Sequence, residues 1–292
     1  MLEMHGTDGT EWLRRVPDIV ADCARRWSLA LDPTPLESNY GYLAPGTRAD
    51  GSPIILKVSF PEREFFTGVE VLRLYDGRGC VRLCELDLSA GALLLERLVP
   101  GTMLSDLPDD EEATTIAARL MRRLWRPAPA AHSFPTIADW VLRMEEAPRL
   151  VGPDRPFPLK WSEHALGLFH ELAATAAEPV LLHGDLHHYN ILAAQREPWL
   201  AIDPKGVVGE PVWEVGAFVF NNLPEDLEPA RTVPLLERRL TVFARELGCD
   251  RERLRAAVIA RTVLSGFWSL EDSGYGWEES ITVARYLAGR EV

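Results

Sequence analysis

The sequence has few cysteines and no long apolar segment. Its four cysteines are scattered over 292 residues, which excludes a dense disulfide framework and is typical of a reduced protein. No apolar run is long enough to cross a bilayer, and the N-terminus lacks a basic segment followed by an apolar one. We therefore expect a cytoplasmic protein without a membrane partner.

Basic residues are also scarce. The chain has 31 lysines and arginines against 44 aspartates and glutamates, a formal net charge of -13. Such a negative field repels a nucleic-acid backbone and favours a cationic small molecule as partner; the alternative is that the acidic surface only keeps the protein soluble. Because 47% of the residues are hydrophobic, the chain can bury one large core or two smaller ones. We expect a monomer without a nucleic-acid partner.

The hydrophobic periodicity changes along the chain. Up to residue 98 the pattern predicts helices from Trp12 and at 61–75, and strands at 40–44, 53–60, 80–86 and 92–98. Cys80 and Cys84, four apart in one of these strands, are predicted to be core thiols on a single strand face. Later the patterns are helical at 111–125, 137–146 and 161–177, apart from a short β region between 181 and 203. The change predicts two lobes, residues 1–98 and 99–292.

A polar loop between two apolar strands carries the strongest signal for chemistry. In LLHGDLHHYNILAA, Asp185 and Asn190 lie five residues apart. A curled loop of that length can present a carboxylate to an acceptor hydroxyl and an amide oxygen to a metal ion. The next apolar strand ends at Asp203, beside Pro204. A carboxylate in that position suits magnesium, which prefers oxygen ligands.

Lys57 places a charge in an otherwise apolar strand, IILKVS. Such an ammonium group needs an anionic partner, and the phosphates of ATP would supply one, with a helix carboxylate holding the lysine in place. Glu70 is the predicted carboxylate, and Glu64 is the alternative. Lys57 could instead extend from an edge strand into solvent.

Together these residues resemble the aminoglycoside phosphotransferases, whose fold is similar to that of protein kinases. The resemblance covers nearly the whole chain; HGDLHHYN is similar to the family's catalytic loop and IDPK to its magnesium-binding segment. It implies an α+β, bilobal protein-kinase-like fold, with a small antiparallel-sheet N-lobe and a larger, mostly helical C-lobe. It also implies ATP and Mg as cofactors, Asp185 as the catalytic base, and Asn190 and Asp203 as the metal ligands.

Three further segments, LRLYDGRG, GALLLERLVPG and IDPKGVVGEPVWEVGA, most resemble the streptomycin 6-phosphotransferase branch, which is grouped with hydroxyurea resistance kinases. The resemblance implies adenine binding near Glu96 and Leu98, and a bracing role for Glu214. The chain departs from the family in ESNYGYLAPG, which has few glycines for a phosphate-covering loop. It also departs at Gly68, where relatives carry the glutamate that pairs with the lysine. The carboxylate partner of Lys57 therefore stays open.

The acceptor site is predicted in the segment FWSLEDSGYGWEES. Trp268, Glu271 and Asp272 combine an aromatic face with carboxylates, which suits a polycationic, hydroxyl-rich antibiotic; the alternative is a solvated helix end. The predicted function is transfer of phosphate from MgATP to a hydroxyl of a streptomycin-type aminoglycoside. The alternatives are a kinase for hydroxyurea or another small alcohol, and a nucleotide-binding regulator without catalysis.

Several side chains around the loop allow a structural interpretation. His183 is expected to support the loop by hydrogen bonds. His187 and His188 could bind zinc, but adjacent residues of an extended chain point in opposite directions and no third ligand is spaced nearby. Lys205 either contacts the transferring phosphate or is an exposed loop lysine.

Overall fold

The computed structural model of the chain describes residues 2–38, 41–152 and 157–289. Its internal contacts define two compact units. The first unit is Met1–Thr102 with Leu192–Lys205, and the second is Met103–Ile191 with Gly206–Val292. The predicted lobe boundary after residue 98 stays a prediction, and the predicted strand start at Tyr40 lies outside the described residues.

The helices and strands follow one another along both units. In chain order they are α1 (Leu2–Arg26), β1 (Leu29–Leu31), β2 (Gly41–Arg48), β3 (Pro53–Ser59), α2 (Arg63–Tyr75), β4 (Leu83–Asp87), β5 (Ala92–Glu96), β6 (Pro100–Met103), α3 (Asp110–Leu124), β7 (Arg126–Pro127), α4 (Ile137–Glu145), α5 (Ala147–Leu150), α6 (Leu159–Ala174), β8 (Val180–Leu182), β9 (Ile191–Ala194), β10 (Trp199–Ala201), β11 (Val207–Gly209), α7 (Val215–Val219), α8 (Pro229–Leu247), α9 (Arg251–Asp272) and α10 (Trp277–Ala288).

The first unit is built on a five-stranded sheet of order β1-β2-β3-β5-β4, and its neighbouring strands are antiparallel. Helix α1 packs on this sheet through Trp12, Val16, Ile19 and Cys23, which recur every three or four residues on one helix face. The sheet contributes the core residues Ala44, Ile54, Leu56, Val58, Ala92 and Leu94. Because side chains alternate along β3, Lys57 points to the face opposite this core.

The prediction that Cys80 and Cys84 form a core pair on one strand face is wrong. Cys80 lies before β4, is fully buried and bridges to Ala201 of β10, whereas Cys84 lies within β4 and is exposed. A register shift between Leu83 and Glu85 in the pairing with β5 interrupts the strict alternation on which the prediction depended. Each of the four cysteines, all of them in the described ranges, is a free thiol.

The second unit is mostly helical. Helix α9 is buried over most of its length and packs against α6, α7 and α10, while α3 packs against α8. A small sheet of order β11-β8-β7 supports the loop that follows β8. The helices predicted at 111–125, 137–146 and 161–177 are confirmed as α3, α4 and α6.

The combination of an antiparallel sheet in one unit and a helical second unit is the α+β class predicted from the sequence. The short strands β1, β6, β7 and β11 were not predicted. Across residues 2–38, 41–152 and 157–289, no helix has both the length and the hydrophobicity that a membrane span requires.

Candidate active site

The loop after β8 is held at its start by Glu214, which is 2% exposed and lies in the 3₁₀ turn Pro211–Glu214. Its two carboxylate oxygens accept hydrogen bonds from the backbone N–H groups of His183 (2.6 Å) and Gly184 (2.9 Å). Burial raises the pKa of Glu214 to about 7, although these two N–H groups act in the opposite direction. The carboxylate fixes the backbone immediately before Asp185.

The side chain of Asn190 closes the same loop. Its Nδ2 group donates a hydrogen bond to the backbone oxygen of Asp185 (2.9 Å) and lies 3.2 Å from Nε2 of His187. The backbone N–H of Asp185 donates to Nδ1 of His183 (3.3 Å), the supporting role predicted for that histidine. The carboxylate of Asp185 is 32% exposed. The loop therefore brings the predicted base and one predicted metal ligand together by a direct bond.

His188 has a structural environment. Its ring is buried and stacks on Phe218, with 3.7 Å between the ring centroids. Burial, together with the positive charge of Arg239, lowers the pKa of His188 to about 2, so the ring is neutral at physiological pH. In the part of the chain that the structure describes, no three His, Cys, Asp or Glu side chains are grouped to hold a metal. The described residues therefore offer no third ligand for the zinc hypothesis.

In the first unit, the segment after β10 carries Asp203. Lys57 donates through Nζ to Oδ1 of Asp203, and Nζ of Lys205 lies 3.5 Å from Oδ2. Lys205 also donates to Glu64 of α2. The four side chains form a cluster of alternating cations and anions. Lys57 is 20% exposed and ion-paired, so it does not extend into solvent as the alternative interpretation required.

Helix α2 approaches the segment after Asp203 at Gly68. A Cβ atom at position 68 would lie only 2.8 Å from the backbone oxygen of Pro204, so a larger residue there would force the backbone apart. Glu64 lies one helical turn earlier and binds Lys205. The pairing of Glu70 with Lys57 stays a prediction.

The predicted adenine contacts lie at the end of β5. The side chain of Glu96 accepts a hydrogen bond from Arg196 (2.7 Å), and its backbone N–H donates to the oxygen of Arg82 (3.0 Å). Leu98 follows with a buried side chain. Binding of a nucleotide by Glu96 and Leu98 stays a prediction.

The residues predicted to bind the acceptor lie at the end of α9, and two of them face arginines. Glu271 forms a bidentate ion pair with Arg143 of α4, and Trp268 covers the guanidinium of Arg261 at 4.5 Å. Asp272 is exposed. The carboxylate of Glu271 is therefore already compensated by a cation, which weakens its attraction for a positively charged substrate.

Sequence reasoning missed Arg143 and Arg261. The signal for Arg261 was available, since Arg261, Trp268 and Glu271 are spaced by seven and three residues and so lie on one face of a helix. Arg143 comes from α4, more than a hundred residues away along the chain, and no local pattern connects it with Glu271.

Asn190 and Asp203 each carry an oxygen donor of the kind that magnesium prefers. Because Nδ2 of Asn190 is bonded to the Asp185 backbone, its amide oxygen is directed away from that bond. The carboxylate of Asp203 already forms ion pairs with two ammonium groups, so it is surrounded by cations. Magnesium is commonly held by one or two protein oxygens together with phosphate oxygens and water, without a closed protein cage.

Solved structures share the fold at low sequence identity. Choline kinase LicA from Streptococcus pneumoniae has a TM-score of 0.65 at 14% identity, covering 94% of this chain and 99% of its own. A thermostable mutant of aminoglycoside phosphotransferase APH(4)-Ia, in a ternary complex with ADP and hygromycin B, has a TM-score of 0.63 at 15% identity and covers 91% and 97%. The bilobal, protein-kinase-like fold predicted from the sequence is confirmed.

Curated relatives are similar over nearly the full length. A streptomycin 6-kinase of Streptomyces glaucescens is 30% identical over 293 residues, 97% of this chain and 93% of the relative. A hydroxyurea phosphotransferase of Kitasatospora aureofaciens is 36% identical over 298 residues, 99% and 84% respectively. The family model described as aminoglycoside/hydroxyurea antibiotic resistance kinase matches residues 26–273. The chain belongs to this family. It is a small-molecule kinase, the enzyme class predicted from its sequence.

Proposed function

We propose that this kinase transfers the terminal phosphoryl group of ATP, in the presence of magnesium, to a hydroxyl of a streptomycin-type aminoglycoside. The proposal is supported by the similarity to streptomycin kinases from two Streptomyces species and by the net charge of -13, which favours a cationic substrate. The cytoplasmic location, the monomeric state and the lack of nucleic-acid or membrane partners stay predictions.

The hydrogen-bonded loop around Asp185 carries the proposal. Glu214 holds the backbone before Asp185, and Asn190 holds the backbone oxygen of Asp185 itself. A carboxylate on such a fixed loop can orient an acceptor hydroxyl for in-line attack. As the new P–O bond forms and the bond to ADP breaks, Asp185 takes the hydroxyl proton.

Two lysines are assigned to the donor side. Lys57 and Lys205, now bound to Asp203 and Glu64, are cations that can exchange these carboxylates for phosphate oxygens. Asn190 and Asp203 would hold magnesium, which when bound neutralises charge on the phosphates. The regulator hypothesis is disfavoured because Lys57, Asp185, Asn190 and Asp203 are all present.

A phosphotransfer screen tests the proposal. The purified protein is incubated with MgATP and each of a series of aminoglycosides, hydroxyurea and small alcohols, and product masses are measured. We expect a mass increase of one phosphoryl group on streptomycin. Tight MgATP binding without a phosphorylated product from any acceptor would instead support the regulator.

Hydroxyurea is a second candidate acceptor, favoured by one observation in the structure. Arg143 neutralises Glu271, one of the carboxylates predicted to attract a polycation, so the preference of this region for a cationic acceptor over an uncharged one is reduced. A coupled assay of ATP consumption with both compounds present separates the two candidates. If streptomycin is the acceptor, it should compete with hydroxyurea for one site. At low concentrations of both compounds, only phosphorylated streptomycin should then accumulate.

A further inference from the structure

Arg261 is a buried charge whose hydrogen-bonding groups are not satisfied by the protein. The side chain is 5% exposed. Its Nε and Nη1 atoms are enclosed and have no hydrogen-bond partner among the described residues, and the third nitrogen of the guanidinium is Nη2. Buried polar groups in native proteins are nearly always hydrogen-bonded, so a group without a partner points to a role beyond packing.

A second buried arginine provides the comparison. Arg239 is 1% exposed, and its guanidinium donates to Asp110 and to four backbone oxygens, those of Phe218, Val219, Asn221 and Asn222. The fold therefore supplies acceptors where a buried arginine is purely structural. Around Arg261 it supplies aromatic rings instead, with the guanidinium 4.5 Å from the ring centroid of Trp268 and 5.0 Å from that of Trp140. The ring faces attract the positive charge, but they accept no hydrogen bonds from the N–H groups in the plane of the guanidinium.

The position of Arg261 links it to the loop around Asp185. A Cβ atom at position 216 would lie 2.6 Å from Cγ of Arg261, so the arginine stem occupies space that only a glycine leaves open. Gly216 follows Glu214 by two residues, and Glu214 holds the amides directly before Asp185. Burial lowers the pKa of Arg261 to about 10, with Asp185 and Glu214 acting in the opposite direction, so the group is charged at neutral pH.

We propose that Arg261 binds the acceptor, donating a hydrogen bond from Nη2 to an oxygen atom beside the hydroxyl that receives phosphate. The proposal rests on the proposed function, and it specifies which chemical group of the acceptor faces Arg261. A guanidinium has donors only, so the facing group is a hydroxyl, ether or carbonyl oxygen. A guanidino or ammonium group of the acceptor is excluded from this position by like-charge repulsion, and the rings of Trp140 and Trp268 flank it.

Calorimetric binding to the whole 292-residue chain, saturated with MgADP, tests this role, with streptomycin and hydroxyurea as the probes. We expect Arg261→Met to raise the Kd of the probe that is phosphorylated by about tenfold or more, because a bond to a charged donor is lost. Arg261→Lys, which keeps the charge without the planar fork, should raise the Kd less. Arg255→Met is the matched control on the same helix, since Arg255 binds Glu237; its acceptor Kd should stay within about twofold of the wild type.

An unchanged acceptor Kd in Arg261→Met would overturn the proposal. A parallel rise in the Kd of MgADP would also overturn it, because that result indicates a general structural role. If the methionine variant does not fold, arginine-selective ¹⁵N labelling of the wild type gives the same answer: the guanidinium signal of Arg261 should shift on addition of the acceptor, and a signal that does not move contradicts binding. If Arg261→Met forms phosphorylated product and its acceptor Kd is unaltered, only the role of Arg261 is contradicted. If neither streptomycin nor hydroxyurea binds or is phosphorylated, the proposed function is contradicted as well.

Discussion

The pH dependence of folding stability provides a direct test of the environment of Glu214. Burial raises the pKa of this carboxyl to about 7, from an ordinary value of 4.5. The native state therefore holds the proton more tightly than the unfolded chain does. The stabilising contribution of this proton is complete below pH 4.5 and is lost as the pH rises through 7.

The expected magnitude follows from the two pKa values. Each unit of difference corresponds to about 1.4 kcal/mol, so the free energy of unfolding should fall by about 3 kcal/mol in total through this group, and by roughly 2 to 3 kcal/mol between pH 5 and pH 8. Glu214→Gln removes the titration. It also turns an amide N–H₂ toward a backbone donor of His183 or Gly184, at a cost of about 1–3 kcal/mol that does not depend on pH.

Urea unfolding at pH 5, 6, 7 and 8, followed by tryptophan fluorescence, measures the effect. The free energy of unfolding of the wild type minus that of Glu214→Gln should decrease by about 2 to 3 kcal/mol from pH 5 to pH 8. Glu237→Gln is the matched control. A hydrogen bond from Arg255 lowers the pKa of Glu237 to about 2, so its contribution changes only below about pH 4.5 and the corresponding difference should stay constant. A constant difference for Glu214→Gln as well would refute the raised pKa.

Three further substitutions test the assigned roles. Asp185→Asn should lower kcat by about 10² to 10⁴, the usual contribution of a general base, and leave the Kd of MgADP within twofold; near-normal turnover in a coupled assay would contradict the role. Lys205→Met should raise the KM for MgATP about fivefold, and Lys205→Arg should restore it. The unfolding midpoint should hardly move, because Glu64, the partner of Lys205, is exposed. An unchanged KM would support the alternative that Lys205 is an exposed loop lysine. Arg239→Met should lower the free energy of unfolding by about 3–5 kcal/mol, since it leaves the Asp110 carboxylate without its buried cation; a loss below about 1 kcal/mol in urea unfolding would contradict that contribution.

The contacts within the loop around Asp185 depend on local geometry, which a sequence pattern can predict. Asp185 and Asn190 are five residues apart, and the hydrogen bond that joins them closes a single loop. Such an arrangement depends on short-range geometry, which a motif records. Similarly, the long helices were predicted because their apolar residues recur over many turns.

The ion pairs could not be predicted because they join residues that are distant in the chain. Lys57 is separated from Asp203 by 146 positions, and Arg143 from Glu271 by 128. The sequence indicates that each side chain is charged, but the packing of the elements chooses the partner. Strands β1, β6, β7 and β11 were missed because two to four residues are too few to show a period of two.

The stretch 192–205 belongs to the first unit although it lies far along the chain. It supplies Ala201, whose backbone bonds to Gly79 and Val81, and Arg196, whose side chain bonds to Glu96 and to the backbone oxygens of Gly77 and Cys80. A gene fragment that stops near codon 102 would encode a first unit that lacks these backbone and side-chain hydrogen bonds. Recombination that exchanges the first unit between related genes must therefore carry over two separate stretches of coding sequence, because one continuous stretch does not contain the whole unit.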